Sequence, residues 1–260
     1  MRLVLFNAAY STCSQKVRFV LHEKGLPFDD VILDFRTNEH LAPDYLKLNP
    51  NGVVPTLVVD GRPVIDSSVI CEFLDETHPG VPMTPADAFE RADMRAWLRY
   101  IEEVPTKAIR FPSFQNVFRE RFAGLSAQDF DAAARARPLR TAFYRKMGRS
   151  GFSDAEMDAS YRELRQTVER MDRRLDDGPW LCGEMLTLAD ICVLPTVDRM
   201  DDLGLAHLWE DLPRVADWYA RIRARPAYAA TFYAGARVSE CFEFAPDTAA
   251  RKTFAQGEPA

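Results

Sequence analysis

The 260-residue sequence has no apolar run that approaches the roughly 20 residues needed to span a membrane. It lacks the order of charged, apolar and small residues that marks a secretory signal, because RLVLFN leads directly into a polar turn. An excess of basic charge is absent as well, since 33 Lys and Arg stand against 39 Asp and Glu. Nucleic-acid-binding proteins usually carry a basic face. We therefore expect a cytoplasmic protein that binds neither membranes nor nucleic acids.

Cysteine and histidine are few and scattered. The chain has five cysteines and four histidines, and no pair of them has the spacing of zinc ligands. The odd number and wide spacing of the cysteines do not suggest a disulfide framework. Cys71, Cys182 and Cys192 lie in apolar surroundings, which is typical of small core residues. The sequence predicts reduced thiols and no metal site.

Strand-like and helix-like patterns alternate over the first 80 residues. RLVLFN and FDDVILDF have the character of strands, and the intervening SQKVRFVLHEKG has helical apolar spacing that ends at Gly25. HLAPDYLKLNP and SSVICEFLDETHP are predicted helices, the second capped by a serine. Between them, PTLVVDGRPVI predicts two strands joined by a tight turn at Asp60 and Gly61. A parallel crossover followed by a hairpin predicts a small mixed sheet covered by helices.

The pattern changes at a proline-rich segment, which predicts a linker at about residues 79–86. No strand alternation follows, and four later segments have the spacing of amphipathic helices: AFERADMRAWLRYIEEV, DAEMDASYRELRQTVERMDRRLDDG, TLADICVLPTVDRM and RVADWYARIRARP. Within LTLADI, Thr187 precedes Asp190 by three residues, as in a capping box. The stretch at about 105–152 is predicted to be irregular.

Three separated motifs, NPNGVVPTLVVDG, VIDSSVICEFLDE and WLCGEMLTLADICV, resemble motifs of the glutathione transferase family in order and spacing. The resemblance extends over about residues 1–235. It implies an N-terminal α/β thioredoxin-like domain with a mixed sheet, residues 1–80, that binds glutathione as co-substrate. It also implies an all-α glutathione-transferase C-terminal domain, residues 87–245, that binds the second substrate, and a homodimer without metal. The polar tail, residues 246–260, is predicted to be flexible.

The resemblance implies glutathione contacts in two of these motifs. In the family Pro55 is cis, and the preceding Val54 pairs its backbone N–H and C=O with the cysteinyl backbone of glutathione. Ser67 and its backbone N–H hold the γ-glutamyl carboxylate at a helix N-terminus, and Asp66 pairs with the γ-glutamyl ammonium. The residues alone also allow a trans proline that begins a strand, and a helix cap formed by Asp66 or Ser67.

His40 precedes the short second helix at the spacing where relatives place a His, Gln or Lys against the glycyl carboxylate of glutathione. The alternative interpretation is a solvated surface histidine. Relatives often have a Gln or Lys side chain at the position of Val53, and that contact with glutathione is missing here.

Three side chains in YSTCSQKVR are candidates for contact with the sulfur of glutathione. Ser11 matches the active serine of zeta-class relatives, Cys13 matches the cysteine of the bacterial beta class, and Ser14 matches the serine of bacterial lignin β-etherases. A hydroxyl that donates to sulfur stabilises a thiolate, as does a helix N-terminus that points at it. Ser11 and Ser14 are therefore the candidate catalytic residues. The alternative is that Ser11 or Thr12 caps the helix while Cys13 packs beneath it.

The excursion at about 105–152 resembles that of the β-etherase-type bacterial transferases, which also share its GF turn and its LDDGPWLCG approach. A long excursion within a compact domain is often functional. Its aromatic candidates for the wall of a substrate pocket are Phe111, Phe114, Phe118, Phe122, Phe130, Phe143 and Tyr144. Its basic candidates for contact with an acidic group are Arg140, Arg145, Lys146 and Arg149. Core packing and a solvated basic face are the alternatives.

Three functional hypotheses follow. In the first, the glutathione thiolate attacks an electrophilic aromatic substrate, and a β-aryl ether is cleaved if the likeness to the β-etherases holds. Ser14 is then favoured as the residue that stabilises the thiolate, whereas Ser11 is favoured if the excursion is not a β-etherase feature. In the second, the same scaffold supports zeta-like isomerisation through Ser11, or thiol–disulfide or glutathione-removing chemistry through Cys13. In the third, the protein binds glutathione without turnover.

Overall fold

The N-terminal part of the chain forms a small mixed sheet. The computed structural model describes residues 1–244. The strands are β1 (Leu3–Asn7), β2 (Asp29–Ile32), β3 (Thr56–Val59) and β4 (Arg62–Ile65), in the spatial order β2-β1-β3-β4. β1 and β2 are parallel, whereas β3 is antiparallel to both β1 and β4. The predicted crossover and hairpin are confirmed, and the hairpin turn has positive φ at Asp60 and Gly61.

Helices make up most of the rest of the described chain. They are α1 (Thr12–Glu23), α2 (Pro43–Leu48), α3 (Ser67–Thr77), α4 (Ala88–Glu103), α5 (Pro105–Ala108), α6 (Arg110–Ser113), α7 (Glu120–Ala123), α8 (Ala127–Arg135), α9 (Thr141–Met147), α10 (Asp154–Arg174), α11 (Leu188–Asp202), α12 (Pro213–Arg223), α13 (Pro226–Thr231) and α14 (Val238–Cys241), with a π-helical turn at Phe114–Phe118 and 3₁₀ turns at Glu39–Leu41 and Ala206–Leu208. Over residues 1–244, no helix combines the length and the apolar character that crossing a membrane requires.

The excursion at 105–152 is helical, so the prediction that it is irregular was wrong. Its helices α5 to α9 are only four to nine residues long. Pro105 begins the first of them, and Gly124 and Gly148 end two others. Helices this short do not display enough turns for an apolar period to be recognised in the sequence.

The fold is an α/β thioredoxin-like domain with a mixed sheet, followed by an all-α domain. Side chains of α1 connect the two. The Gln15 side chain donates to the carbonyl of Ala236 at 2.8 Å, and Lys16 contacts Glu102 at 2.5 Å. These buried contacts fix the start of α1 against the helical domain. The boundaries at residues 80 and 87 stay predictions, and the predicted tail, 246–260, lies outside the described residues.

The predicted capping box at the start of α11 is confirmed. The fully buried Asp190 carboxylate accepts the N–H of Thr187 at 3.0 Å. It also accepts the N–H of Leu181 at 2.9 Å and the indole N–H of Trp218 at 2.9 Å. One carboxylate therefore joins a loop, the start of α11 and the side of α12.

Candidate functional site

A cavity lies where the start of α1 and residues 52–54 face the helices of the excursion. Ser11, Thr12 and Cys13 line it from the first domain, together with Val54 and His40. The opposite side of the cavity is formed by α6, the π-helical turn and α9. The cavity therefore brings part of the predicted glutathione site next to the predicted substrate wall.

The start of α1 separates the two candidate serines. Ser11 is the N-cap, and its hydroxyl accepts the N–H of Ser14 at 3.3 Å. Ser14 is 0% exposed, does not line the cavity, and accepts the N–H of Ala8 at 3.3 Å. A hydroxyl has two lone pairs and one proton, so Ser11 keeps a proton to donate toward the cavity while it caps the helix. This geometry favours Ser11 over Ser14 for contact with a ligand's sulfur.

The loop before β3 is held in one conformation by side chains beneath it. The Val54–Pro55 peptide bond is cis, as the resemblance implies. The hydroxyl of Tyr45 and the amide of Asn49 both donate to the carbonyl of Val53, at 2.6 and 2.9 Å. Val54 lines the cavity, whereas Pro55 is buried behind it.

Asp66 caps α3, so the predicted serine cap was wrong. One oxygen of Asp66, Oδ1, accepts the N–H groups of Ser68 at 3.1 Å and Val69 at 3.2 Å. The side chain is exposed, and its other oxygen has no partner within residues 1–244. Asp66 and the buried Ser67 are not among the residues that line the cavity. Their contacts with glutathione stay predictions.

His40 is 8% exposed, which excludes the interpretation as a solvated surface histidine. Its ring lies against Phe35, with 4.4 Å between the ring centroids. Burial, followed by the charges of Arg137 and Arg121, lowers the pKa of His40 to about 4. The imidazole is therefore neutral at pH 7, and its buried Nδ1 has no hydrogen-bond partner in the described part of the chain. A neutral ring still offers one donor and one acceptor to a ligand.

Replacing His40 with glutamine should remove part of the acid sensitivity of the fold. The unfolded chain binds a proton at His40 near pH 6.5, whereas the folded protein does not until about pH 4. Unfolding is therefore increasingly favoured as the pH falls through that window, and the effect is absent above it. The test compares the melting temperatures of wild type and His40→Gln from about pH 7 to about pH 4. A constant difference between them would contradict a buried, neutral His40.

The aromatic wall comes mainly from the excursion. Phe114, Phe118, Phe122, Phe143 and Tyr144 line the cavity. The other two aromatic candidates lie behind this wall: Phe111 packs against Phe152, and Phe130 packs against Phe122. Tyr10 and Phe35, which were not predicted to form the wall, extend it into the first domain.

The basic side chains are distributed differently from the prediction. Of the four candidates, only Arg140 lines the cavity. Arg145 pairs with Asp131, Lys146 pairs with Glu156, and Arg149 donates to the carbonyl of Leu125. Four further arginines that were not singled out in the sequence line the cavity: Arg110, Arg121, Arg137 and Arg199.

Two family models match the chain. The model described as "Glutathione S-transferase, N-terminal domain" matches residues 10–77, and "Glutathione S-transferase, C-terminal domain" matches residues 154–221. Protein LigF of Sphingobium sp. strain SYK-6 is 30% identical over 236 residues, which cover 87% of this chain and 91% of LigF. The tetrachloro-p-hydroquinone reductive dehalogenase of Sphingobium chlorophenolicum is 26% identical over 233 residues, which cover 86% and 93%.

The structural comparison points the same way. The crystal structure of beta-etherase LigF superposes with a TM-score of 0.80 at 29% identity. The match covers 89% of this chain and 99% of that structure. The similarity therefore includes both domains.

Proposed function

Because the chain belongs to the glutathione S-transferase family, we propose that its glutathione thiolate attacks an aromatic electrophile, and that this electrophile is a β-aryl ether. The observation that carries the proposal is the cavity itself, in which the start of α1 faces a wall of aromatic side chains. Similarity to the beta-etherase LigF supports the β-aryl ether as substrate.

Ser11 is the group that we propose stabilises the thiolate. A thiol with an ordinary pKa of about 8.5 is only slightly ionised at neutral pH. A hydroxyl donor and the N-terminal end of α1 both favour the charged form of a sulfur placed before them. The proposal is supported by the position of Ser11 at the cavity and by the buried, differently bonded hydroxyl of Ser14.

The rest of glutathione is proposed to lie along the first domain. The backbone of Val54 pairs with the cysteinyl residue, and Pro55 holds that edge in place. Asp66 and Ser67 receive the γ-glutamyl end, with the free oxygen of Asp66 available for its ammonium group. Because His40 is neutral at pH 7, it donates a hydrogen bond to the glycyl carboxylate and does not form an ion pair with it.

The proposed reaction is a displacement at a carbon that carries an aryloxy group and lies α to a carbonyl. The thiolate supplies the electron pair for the new C–S bond, and the C–O bond breaks with its pair on the aryloxide. The thiol proton leaves to solvent and the aryloxide takes one up, so no oxidant or reductant is required. Positioning of the nucleophile and stabilisation of its charge provide the rate.

The test is incubation of the protein with glutathione and a model β-aryl ether ketone, with release of the phenol followed over time. We expect one glutathione thioether for each phenol released. Glutathione binding without phenol release, but with conjugation of a haloarene, would reject the β-ether and keep the transferase. Glutathione binding without any conjugation would support the non-catalytic alternative.

Cys13 provides a second candidate function, because its partly exposed thiol lines the same cavity, two residues after Ser11. A thiolate there would exchange with glutathione disulfides or remove glutathione from a conjugate. We expect Cys13→Ser to retain phenol release within about twofold of wild type, since the variant keeps a small polar side chain. The matched assay is reduction of a mixed disulfide. Loss of both activities in Cys13→Ser would reject the serine mechanism.

We also propose the division into a glutathione-binding domain, residues 1–80, and a substrate-binding domain, residues 87–245, in a cytoplasmic homodimer. Support for the dimer comes from two apolar side chains near the starts of α3 and α4. Val69 is 44% exposed and Phe89 is 87% exposed. A second subunit that covered them would remove apolar surface from water.

A further inference from the structure

The cavity is lined by five arginines: Arg110, Arg121, Arg137, Arg140 and Arg199. Among the described residues that line it, none is an aspartate or a glutamate. A concave surface with one sign of charge concentrates ligands of the opposite sign. The cavity should therefore attract a negatively charged ligand. Binding of an aromatic ring alone would not require these arginines.

Three of the five guanidinium groups are already bound by the protein. Arg121 donates to the carbonyl of Phe35. Arg137 donates to the side-chain oxygen of Asn38 at 2.9 Å. Arg199 donates to Ser113, at 3.4 Å, and to a backbone carbonyl, and lies 3.6 Å from a carboxylate oxygen of Asp202. These three shape the cavity and hold its two domains together.

Arg110 and Arg140 are different. Within residues 1–244, neither guanidinium has a hydrogen bond or an ion pair. Burial, with the neighbouring charge of Arg140, lowers the pKa of Arg110 to about 10, so Arg110 remains charged at pH 7. Two positively charged groups with unused donors thus line the same cavity.

Both side chains are half-buried, and a charged group that is partly removed from water is costly unless an opposite charge or hydrogen-bond acceptors compensate it. A carboxylate matches the planar guanidinium, because both can form two parallel hydrogen bonds. We infer that Arg110 and Arg140 together bind a carboxylate of the electrophilic substrate, so that the preferred substrate is an aromatic electrophile bearing a carboxylate. This inference rests on the proposed transferase function and specifies its substrate.

The position of the pair indicates which molecule supplies the carboxylate. Arg110 lies on α6 and Arg140 immediately precedes α9, so both belong to the helical domain. The adjacent cavity residues, Ile109, Phe143 and Tyr144, are apolar or aromatic. The proposed sites for the two glutathione carboxylates are at Ser67 and His40, in the other domain. A substrate whose aromatic ring packs against Phe143 and whose carboxylate binds Arg110 would contact both the aromatic and the positively charged side chains of the wall.

The kinetic test uses two β-aryl ether ketones that differ only in a carboxylate or a carboxamide on the ring. We expect wild type to have the lower KM for the carboxylate. Arg110→Gln and Arg140→Gln should each raise that KM about 10- to 100-fold, since a hydrogen bond to a charged group is lost. Both variants should leave the KM for the carboxamide and for glutathione within about twofold of wild type.

Arg145→Gln is the matched control, because Arg145 is in the same excursion but pairs with Asp131 away from the cavity. It should leave every constant unchanged. Arg110→Lys keeps the positive charge but cannot form two parallel hydrogen bonds to a carboxylate. It should therefore bind the carboxylate ketone more tightly than Arg110→Gln and less tightly than wild type. The melting temperature of Arg110→Gln should not fall, because no partner within the described protein is lost.

Three kinetic results would overturn the inference. If Arg110→Gln and Arg140→Gln impaired the reaction of both ketones equally, the arginines would act on the thiolate or the leaving aryloxide. A higher KM for glutathione would mean that they hold glutathione. Equal KM values for the two ketones in wild type would mean that no carboxylate is recognised, although the transferase function would stand.

A binding test separates this inference from the proposed reaction. Phenoxyacetate and phenoxyacetamide, neither of which carries the reacting ketone, are titrated into the glutathione-loaded protein. We expect phenoxyacetate to bind at least about tenfold more tightly, and Arg110→Gln to remove the difference. That result would support the carboxylate site even if no phenol were released from any ketone. Equal binding of the two probes would overturn it.

Discussion

Replacing Ser11 with alanine is expected to lower kcat for glutathione transfer about 100-fold, the usual effect of removing one donor to a developing or resident anion. The Ser11 hydroxyl accepts the N–H of Ser14 through a lone pair, so its proton is available to a sulfur in the cavity. Without that proton, the pKa of the bound thiol rises and less thiolate is present at neutral pH. The measurements are the pH dependence of kcat and the ultraviolet absorbance of the bound thiolate.

Ser14→Ala is the matched control, since it removes the same group three residues further along α1. Ser14 is fully buried and accepts the N–H of Ala8, so this variant should lower the melting temperature and leave the thiol pKa unchanged. Ser11→Ala also loses an N-cap, which costs about 1 kcal/mol of stability. A shifted thiol pKa in Ser14→Ala, with wild-type kcat in Ser11→Ala, would reverse the assignment.

The fold was predictable because its signals are local. An Asp-Gly turn between two apolar runs predicts a hairpin, and Asp60 and Gly61 have the positive φ values of 47° and 84° that such a turn requires. The spacing of Thr187 and Asp190 likewise predicts a helix start from four residues alone. In both cases the residues that determine the local structure are within a few positions of one another. Tertiary contacts therefore stabilise the turn or the helix start without changing its conformation.

The choice between Ser11 and Ser14 could not be made from the sequence. Both hydroxyls occur in the first turn of one helix, and both are suitable as caps or donors. The deciding fact is the packing of α1 on the end of β1, which turns Ser14 toward the backbone of Ala8. That orientation depends on the tertiary structure, which a local pattern does not contain.

Four of the five arginines that line the cavity were missed for a related reason, and only Arg140 was among the sequence candidates. Arg110 stands between Ile109 and Phe111 in an apolar stretch, which is the only signal in the sequence that its side chain is half-buried. Arg145 and Arg149 have the same residue type and lie in the same excursion, yet they are used in surface contacts. Which arginine faces a cavity depends on how α5 to α9 fold back on one another.

Replacing Asp190 with alanine should destabilise the protein more than any other single change considered for this chain. The carboxylate satisfies the N–H groups of Leu181, Thr187 and the Trp218 indole, at 2.9 to 3.0 Å, in a fully buried site. Each donor left unpaired costs about 1–3 kcal/mol, so the total loss is about 4 kcal/mol or more. For a chain of this size that corresponds to a fall in melting temperature of about 10 °C.

Asp217→Ala is the control for this change, because Asp217 is exposed on α12 and should alter stability by less than about 0.5 kcal/mol. Asp190→Asn should fall between the two variants, since its amide oxygen keeps the acceptor shared by Leu181 and Trp218 but its amide N–H donors face the N–H of Thr187. Asp190 lies outside the cavity, so below its melting temperature Asp190→Ala should keep its KM for glutathione. A wild-type melting temperature in Asp190→Ala would show that water or another group replaces the carboxylate, and that the joint between α11 and α12 does not depend on it.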